Sequence, residues 1–221
     1  MRNKVVAKEA AVSHIQTGMT LMVGGFGQTG TPLMLIEELL CQGQFGLTVI
    51  SNNVGEPGMG LSRLLEHERI HKAIGSYFTS NPVVGEYHLA HKLDVQLMAQ
   101  GTFAEAIRAG GAGIGGFYTR ASVGTVLAED KEVKVIGGET YVLEYPLRAD
   151  VALIRAHKAD RLGNLVYRKT ARNFNPIMAT AADIVIVEVD EVVDAGMLDA
   201  EAIVTPHLYV DFIVQRGQFG E

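Results

Sequence analysis

The sequence predicts an α/β fold of three layers, in which an open, mostly parallel β-sheet lies between layers of helices. Short apolar runs rich in β-branched residues alternate with segments of helical periodicity, which is the pattern of repeated βαβ units. The apolar runs are continuous, as expected for strands that are buried on both faces. No linker, internal repeat or break in composition divides the 221 residues. We therefore expect a single domain over residues 1–221.

Six buried strands are predicted from these apolar runs. They are Leu21–Val23, Leu47–Ile50, Ala73–Ile74, Val95–Met98, Val151–Ile154 and Ile184–Val187.

Helical patterns fill the intervals between the predicted strands. Leu33, Ile36 and Leu40 are spaced i, i+3 and i+7, which places them on one face of an amphipathic helix. Thr31 is a candidate N-cap for this helix, and Pro32 suits its first position. A leading helix is expected around Val5–Gln16, before the first strand.

Residues 133–145 depart from the βαβ pattern and predict a small β-hairpin. The apolar run Val133–Ile136 is followed by Gly137 and Gly138 and then by Tyr141–Leu143. Two glycines between two such runs are typical of a tight hairpin turn.

Charge and composition exclude several classes of protein. The chain has 25 acidic and 19 basic residues, a formal net charge of -6, and no cluster of Lys and Arg, so no nucleic-acid partner is expected. No apolar stretch approaches the ~20 residues that a membrane span requires, and the first ten residues lack the pattern of a signal peptide. We expect a cytoplasmic protein. Cys41 is the only cysteine and is interpreted as a packed or half-exposed thiol.

A cluster of glycines follows the first predicted strand and precedes the helix at Thr31. Backbone N–H groups at such a junction are a potential site for an anion, because the helix dipole lies behind them. Gly25 to Gly30 also satisfies the G-x-G-x-x-G pattern of dinucleotide-binding folds. That hypothesis requires an acidic residue about 20 residues later, but the second strand ends in Ser51, Asn52 and Asn53.

Six groups of residues along the chain form a series of distinctive motifs. They are Val23-Gly24-Gly25-Phe26 with Gly30 and Pro32, Ser51-Asn52-Asn53, Gln100-Gly101-Thr102, Ile107–Gly113, Gly163-Asn164-Leu165 and Ala171–Pro176. In their order and approximate spacing, from about Gly18 to Val214, these motifs resemble those of the α subunits of family I coenzyme A (CoA) transferases.

The resemblance implies a catalytic cycle that needs a second chain. In this family a glutamate in a Glu-Asn-Gly context on the β subunit is the nucleophile, and no such tripeptide occurs here. Glu86, Glu105 and Glu144 lack that context, so no catalytic nucleophile is expected in this chain. The resemblance implies that the partner is a homologous β subunit, in an α2β2 or larger hetero-oligomer. CoA thioesters are expected as substrates, and no permanently bound cofactor is expected.

The resemblance also implies site residues in this chain. The predicted CoA-binding loop comprises Gly24, Gly25, Phe26, Gly27, Gln28, Thr29 and Gly30. Gln100, with Gly101, is expected to end a strand and to support the oxyanion or the substrate. Thr102 is a candidate cap for a helix over Phe103–Arg108, and Gly110–Gly116 is expected to form a loop near the pocket. Without the resemblance, a tight turn explains the glycines equally well, and Gln100 is a common strand-end residue.

Several alternatives remain for the function. Pro146–Asp150 and Thr79–Pro82 resemble the enzymes that use acetate and acetoacetate, so acetyl-CoA with acetoacetate or other short-chain acids is the first expectation for the substrates. Succinyl-CoA:3-oxoacid transfer is the second. A nicotinamide-dependent oxidoreductase and a non-catalytic regulator that binds CoA or a sugar phosphate are the alternatives from other classes.

His67-Glu68-Arg69-Ile70-His71 matches the H-E-x-x-H pattern of zinc proteases, but no metal site is expected there. That chemistry needs both histidines on one helix, and the sequence after Ile70 indicates a strand. His88 and His91 are three residues apart and are expected to lie on one face of a helix, without a functional role.

Overall fold

The computed structural model describes residues 3–217. The helices in this range are α1 (Lys8–Val12), α2 (Leu33–Gln42), α3 (Leu61–Glu66), α4 (Pro82–Leu89), α5 (Gln100–Gly111) and α6 (Asn175–Ala179). The first seven strands are β1 (Thr20–Val23), β2 (Leu47–Ile50), β3 (Ile70–Gly75), β4 (Asp94–Leu97), β5 (Phe117–Thr119), β6 (Val133–Ile136) and β7 (Glu139–Glu144). The remaining strands are β8 (Ala149–Asp160), β9 (Leu165–Val166), β10 (Ala182–Val193) and β11 (Phe212–Gln215).

The main sheet confirms the predicted parallel architecture. Its order is β11-β10-β8-β1-β2-β3-β4, and each neighbouring pair in this order is parallel. The short strand β9 joins β8 antiparallel. All six predicted strands lie in this sheet, although β8 and β10 extend well beyond the predicted runs. No helix in the described range is long and apolar enough to cross a bilayer.

Helices cover both faces of the sheet and produce the three layers. In β1, Leu21 and Val23 pack into a core with residues of α1 to α4. Met22 points to the opposite face, where the core includes residues of α5 and α6. Successive strand residues point to opposite faces, so a continuous apolar strand supplies both cores. This explains why the sequence shows apolar runs and not alternation.

The predicted hairpin is confirmed as β6 and β7, which pair antiparallel with Ile136 opposite Glu139. Gly137 and Gly138 both adopt positive φ values of 60° and 84°, which suits a tight turn. The short strand β5 adds to β7 and completes a separate antiparallel sheet of order β5-β7-β6.

Three helix predictions need correction. The leading helix is only Lys8–Val12, because Val5 is extended and pairs with Ile213 in β11. Helix α2 begins one residue later than predicted, and Thr31 does not cap it, because its hydroxyl donates to the carbonyl of Gly27 at 3.2 Å.

Helix α5 is longer than predicted at both ends. Gln100 is its first residue and does not end a strand. Gly110 and Gly111 also belong to the helix, so the predicted loop over Gly110–Gly116 is wrong for these two glycines. Both lie against other elements: a Cβ on Gly110 would be 1.9 Å from the carbonyl oxygen of Leu147, and one on Gly111 would be 2.2 Å from Oγ1 of Thr180.

Candidate functional site

The candidate site residues gather at the carboxyl ends of β1 to β4. The predicted glycine loop follows β1, Asn52 follows β2, Ser76 follows β3, and Gln100 lies three residues after β4. In open α/β sheets this edge is the usual place for a ligand, because the loops after the strands surround a crevice there. Residues that are far apart in sequence therefore meet at one place.

Hydrogen bonds fix the orientation of the Gln100 side chain. Nδ2 of Asn52 donates to Oε1 of Gln100 at 2.8 Å, and the hydroxyl of Ser76 donates to the same oxygen. Nε2 of Gln100 makes no hydrogen bond with residues 3–217, and the side chain is exposed. The amide therefore presents its N–H donors, and not its oxygen, to a ligand at this edge.

Buried neighbours hold Asn52 in place. Asn52 is only 2% exposed, and its Oδ1 accepts a hydrogen bond from Nδ2 of Asn53 at 3.1 Å. Oδ1 of Asn53 in turn accepts from the backbone N–H of Gly55 at 2.8 Å. The sequence did not assign a role to Asn52 or Ser76. The signal in the sequence that could have identified them is a polar residue two positions after a predicted buried strand.

Gly101 and Thr102 occupy the first turn of α5. Gly101 is exposed, and a Cβ at this position would meet open space. The N-cap of the helix is Ala99, which has no capping side chain, so the prediction that Thr102 caps a helix is wrong. Thr102 is 3% exposed, and its hydroxyl has no hydrogen-bond partner in the described range.

Backbone hydrogen bonds within the glycine loop and to β8 hold the loop in a compact turn. Phe26 and Thr29 exchange backbone hydrogen bonds of 3.0 and 3.1 Å, and the N–H of Gly24 donates to the carbonyl of Leu153 at 2.9 Å. Gly25, Gly27 and Gly30 have φ values of 124°, 58° and 75°, a region that side chains rarely adopt. This backbone conformation therefore requires glycine at these positions, independently of any ligand.

Two asparagines beyond β9 clamp this loop. Nδ2 of Asn173 donates to the carbonyl of Thr29 at 2.9 Å, and its Oδ1 accepts from the N–H of Gly25 at 3.2 Å. Nδ2 of Asn175 donates to the carbonyl of Gly30 at 3.1 Å. A Cβ on Gly24 would be 1.9 Å from Oδ1 of Asn175. The loop is thus fixed against the segment that carries these asparagines.

Six of the seven predicted CoA-binding residues divide into a buried and an exposed group, and Gln28 is intermediate between them. Gly24, Gly25 and Gly30 are buried, and their role is to leave room for neighbouring residues that a Cβ would contact too closely. Phe26, Gly27 and Thr29 are exposed, and Phe26, at 55%, is the most prominent side chain of the loop. Both polar atoms of the Gln28 amide are buried beside Gly55 and Gly60 and have no hydrogen-bond partner among residues 3–217. The exposed group offers side-chain and backbone surface to a ligand.

The expectation of a free anion site at the start of α2 is wrong. Oε2 of Glu188 in β10 accepts hydrogen bonds from the backbone N–H groups of Met34 at 2.8 Å and Leu35 at 3.3 Å. Glu188 is 0% exposed, and burial raises the pKa of its carboxyl group. The protein therefore supplies its own carboxylate to these N–H groups, and an external anion cannot reach them.

The three acids that lack the nucleophile context serve other contacts or point to solvent. Glu105 bonds to Arg108 at 2.5 and 2.9 Å, and these hydrogen bonds lower its pKa. Glu144 is buried and pairs with Lys131 at 2.7 Å. Glu86 is exposed on α4.

The histidine pattern does not form a helical pair. His67 is the C-cap residue of α3, whereas His71 lies in β3. Among residues 3–217, no group of three His, Cys, Asp or Glu side chains is arranged to hold a metal ion. His88 lies in α4, but His91 lies beyond the helix with a φ of 57°, so the two do not share one helix face as predicted. Cys41 lies on α2 as an exposed thiol, so its interpretation as a packed or half-exposed thiol is wrong.

Sequence comparisons connect this geometry with known enzymes. Residues 5–216 match the model of the family described as Coenzyme A transferase. The chain is 52% identical over 208 residues to one subunit of a probable succinyl-CoA:3-ketoacid coenzyme A transferase of Bacillus subtilis, covering 94% of this chain and 87% of that protein. It is 47% identical over 214 residues to the alpha subunit of the acetate CoA-transferase of Escherichia coli, covering 97% of both.

Solved structures share the fold. An acyl-CoA transferase from Escherichia coli O157:H7, in a thioester complex with CoA, superposes with a TM-score of 0.85 at 20% identity. The match covers 97% of this chain but only 47% of that chain. Glutaconate coenzyme A-transferase from Acidaminococcus fermentans also gives a TM-score of 0.85, at 21% identity, over 96% of this chain and 75% of that one.

Proposed function

Because the chain belongs to the coenzyme A transferase family, we propose that it is the α subunit of an enzyme that moves CoA between a short acyl-CoA and acetoacetate or another short-chain acid. The nucleophile is a glutamate of a homologous β subunit. Its carboxylate attacks the acyl thioester, forms an acyl-glutamyl anhydride and releases CoA thiolate. The thiolate then attacks the glutamyl carbonyl, expels the acid and leaves a glutamyl-CoA thioester, which the second acid opens by the reverse steps.

The orientation of the Gln100 amide is the observation that supports this function most directly. Each step passes through a tetrahedral intermediate whose oxygen carries negative charge. The oxygen of the amide is occupied by Asn52 and Ser76, so its N–H groups remain for that charge. Gly101 adds no side chain that would fill the space beside Gln100. The exposed residues of Gly24–Gly30 contact the CoA part of the thioester.

Residues 1–221 form one domain in this proposal, and the active enzyme is a cytoplasmic hetero-oligomer of two or more α and β subunits. Both relatives are named as single subunits of their enzymes, which supports a partner chain. The buried or ion-paired states of Glu144 and Glu105 support a nucleophile outside this chain.

Acetyl-CoA with acetoacetate is the first substrate pair, as the resemblance of residues 79–82 and 146–150 implies. Succinyl-CoA with a 3-oxo acid is the second, and the 52% identical relative from Bacillus subtilis favours it. Short carboxylic acids differ by contacts worth roughly 1–3 kcal/mol, part of which the β subunit provides.

The test is formation of acetoacetyl-CoA from acetoacetate, with either acetyl-CoA or succinyl-CoA as donor. The chain is assayed alone, the β-type protein alone, and the two co-purified. Activity in the pair only supports the proposal, and the faster donor identifies the substrate. Activity of the lone chain would contradict the placement of the nucleophile, and a correctly assembled pair without activity on either donor would contradict the substrate class.

A further inference from the structure

A cavity of about 420 Å³ lies beside the glycine loop, at the point where the strand order changes direction. From β1 the sheet continues on one side through β2, β3 and β4, and on the other side through β8, β10 and β11. Such a switch point leaves a crevice outside the carboxyl ends of the strands. Here β8 and β10 extend far beyond the end of β1, since Val23 pairs with Leu153 and β8 continues to Asp160. The extended strands form one wall of the cavity and Gln28, Thr29 and Gly30 form another.

The cavity is basic although the chain as a whole is acidic. Arg155, Arg168 and Lys169 line it, together with His157 and a single carboxylate, Asp190. The net charge of the chain is -6, so three cations in one cavity are a local excess. A concave, basic site of this size is suited to an anionic part of a ligand.

Asp190 pairs with Arg155, but among residues 3–217 it pairs with neither Arg168 nor Lys169. It is shared by Arg155 at 3.1 Å, His157 at 3.1 Å and Arg216 at 3.3 Å. The side chains of Arg168 and Lys169 form neither a hydrogen bond nor an ion pair with residues 3–217, and both are exposed. These two cations are therefore available to a ligand.

The segment that carries the free cations is fixed to the glycine loop. Lys169 has a φ of 51°, a conformation that costs energy for a residue with a side chain and persists only where its surroundings impose it. Directly after this segment, the Asn173 side chain donates to Thr29 and the Asn175 side chain donates to Gly30. These hydrogen bonds hold the cations beside the glycine loop.

We propose that this cavity binds the phosphate groups of the CoA thioester, with Arg168 and Lys169 as the residues that contact them. The inference depends on the proposed function for the identity of the ligand, and it adds a site that the glycine loop alone does not provide. A guanidinium binds two phosphate oxygens through its planar fork, and a lysine adds a mobile point charge. The thioester end of the ligand then extends along the exposed loop residues towards Gln100.

The experiment uses the co-purified αβ pair and a double variant, Arg168→Gln with Lys169→Gln. The matched control is Lys72→Gln with Lys92→Gln, which removes two cations that pair with Asp94 and Glu68 elsewhere on the surface. KM and kcat are measured with three donors: the acyl-CoA, its 3′-dephospho form, and the acyl-pantetheine thioester. The last contains no phosphate.

The proposal predicts that the cavity variant raises KM for the acyl-CoA by roughly 10- to 100-fold with little change in kcat, as expected when charged hydrogen bonds are lost. With acyl-pantetheine the variant and the wild type should be equal. A KM increase that disappears with the dephospho donor assigns the cations to the 3′-phosphate, and one that persists assigns them to the diphosphate. An unchanged KM, an equal increase with acyl-pantetheine, or an equal increase in the control variant would overturn the proposal.

Calorimetric titration of the pair with free CoA separates this inference from the proposed function. If the pair transfers no CoA but binds it, and the cavity variant weakens that binding by the same factor, the cavity assignment holds and the proposed reaction fails. If the pair transfers CoA and the variant binds CoA as tightly as the wild type, only the cavity assignment fails.

Discussion

Asn52 and Gln100 are 48 residues apart in sequence and are joined by a hydrogen bond of 2.8 Å from Nδ2 of Asn52 to Oε1 of Gln100. The bond links the end of β2 to the start of α5. Because the Ser76 hydroxyl donates to the same oxygen, residues that follow β2 and β3 together orient an amide that follows β4. In the proposed reaction this arrangement costs no reorganisation when the oxyanion forms, which is the condition under which such donors are most effective.

Gln100→Glu tests the amide as a donor. The new carboxylate keeps an oxygen for Asn52 and Ser76 but loses both N–H donors and places negative charge beside the developing oxyanion. We expect kcat to fall about 100-fold, roughly 2.7 kcal/mol, while KM for the acyl-CoA changes little. Steady-state kinetics of the co-purified pair measures the effect.

The matched control for that variant is Gln96→Glu, which makes the same exchange at an exposed position of β4. It should retain wild-type kcat. A Gln100→Glu variant with full kcat would show that the amide does not stabilise the transition state.

Asn52→Asp tests whether Asn52 acts through Gln100. The aspartate accepts hydrogen bonds but donates none, so we expect the Gln100 amide to turn its N–H groups towards it and away from the ligand. The expected loss in kcat is ~10- to 100-fold. In a Gln100→Ala background the same change should cost less than about threefold, because the group that it orients is absent. If Asn52→Asp lowers kcat by the same factor with Gln100 present and with Gln100→Ala, Asn52 has a role independent of Gln100.

The sequence predicted the three layers of this fold because the spacing of apolar residues along the chain indicates which side of each strand or helix is buried. Each apolar run has to supply two cores, and all six predicted strands were found in the main sheet. Strand length was less predictable. Beyond Ile154, β8 contains Arg155, His157 and Lys158, which appear polar in sequence but lie in the basic cavity or pair with acids of β10.

Predictions from local sequence were wrong at helix starts, because contacts there are made by residues that are distant in sequence or not made by the predicted cap. Thr31 and Thr102 have the sequence pattern of helix caps, yet neither caps a helix. At α2 the free N–H groups are satisfied by Glu188, 154 residues from Met34, and no local pattern reveals such a pairing. The glycine loop was recognised by its motif, whereas its asparagine clamps and the basic cavity depend on the fold.

Two glycines of α5 offer a matched test of backbone packing. Gly110→Ala places a Cβ 1.9 Å from the carbonyl oxygen of Leu147, and neither backbone can move away easily. We expect a loss of about 1–3 kcal/mol in the free energy of unfolding. Gly101→Ala meets open space in the same helix and should be neutral or stabilise by up to ~1 kcal/mol, because alanine is the better helix former. Urea denaturation of both variants measures the difference. Equal stabilities would mean that α5 and Leu147 are less closely packed than described.

Glu188→Gln tests the buried carboxylate at the start of α2 through its dependence on pH. Burial is the largest influence and raises the pKa of Glu188, while Arg216 and the N–H groups of α2 oppose it. The folded state therefore holds this proton up to a higher pH than the unfolded state does. Linkage then requires the Glu188 contribution to stability to decrease as pH rises above about 4.5, with a slope of at most ~1.4 kcal/mol per pH unit, until the folded pKa is passed.

A glutamine at position 188 does not titrate, and its carbonyl oxygen can still accept the N–H of Met34. We therefore expect the stability of Glu188→Gln, relative to the wild type, to improve as pH increases from 4.5 to 8 in urea denaturation experiments. Glu191→Gln, in the exposed part of the same strand, corrects for the general effect of removing one negative charge. A wild type that gains stability over Glu188→Gln with rising pH would contradict the raised pKa. It would show that Arg216 and the helix N–H groups outweigh the burial of this carboxylate.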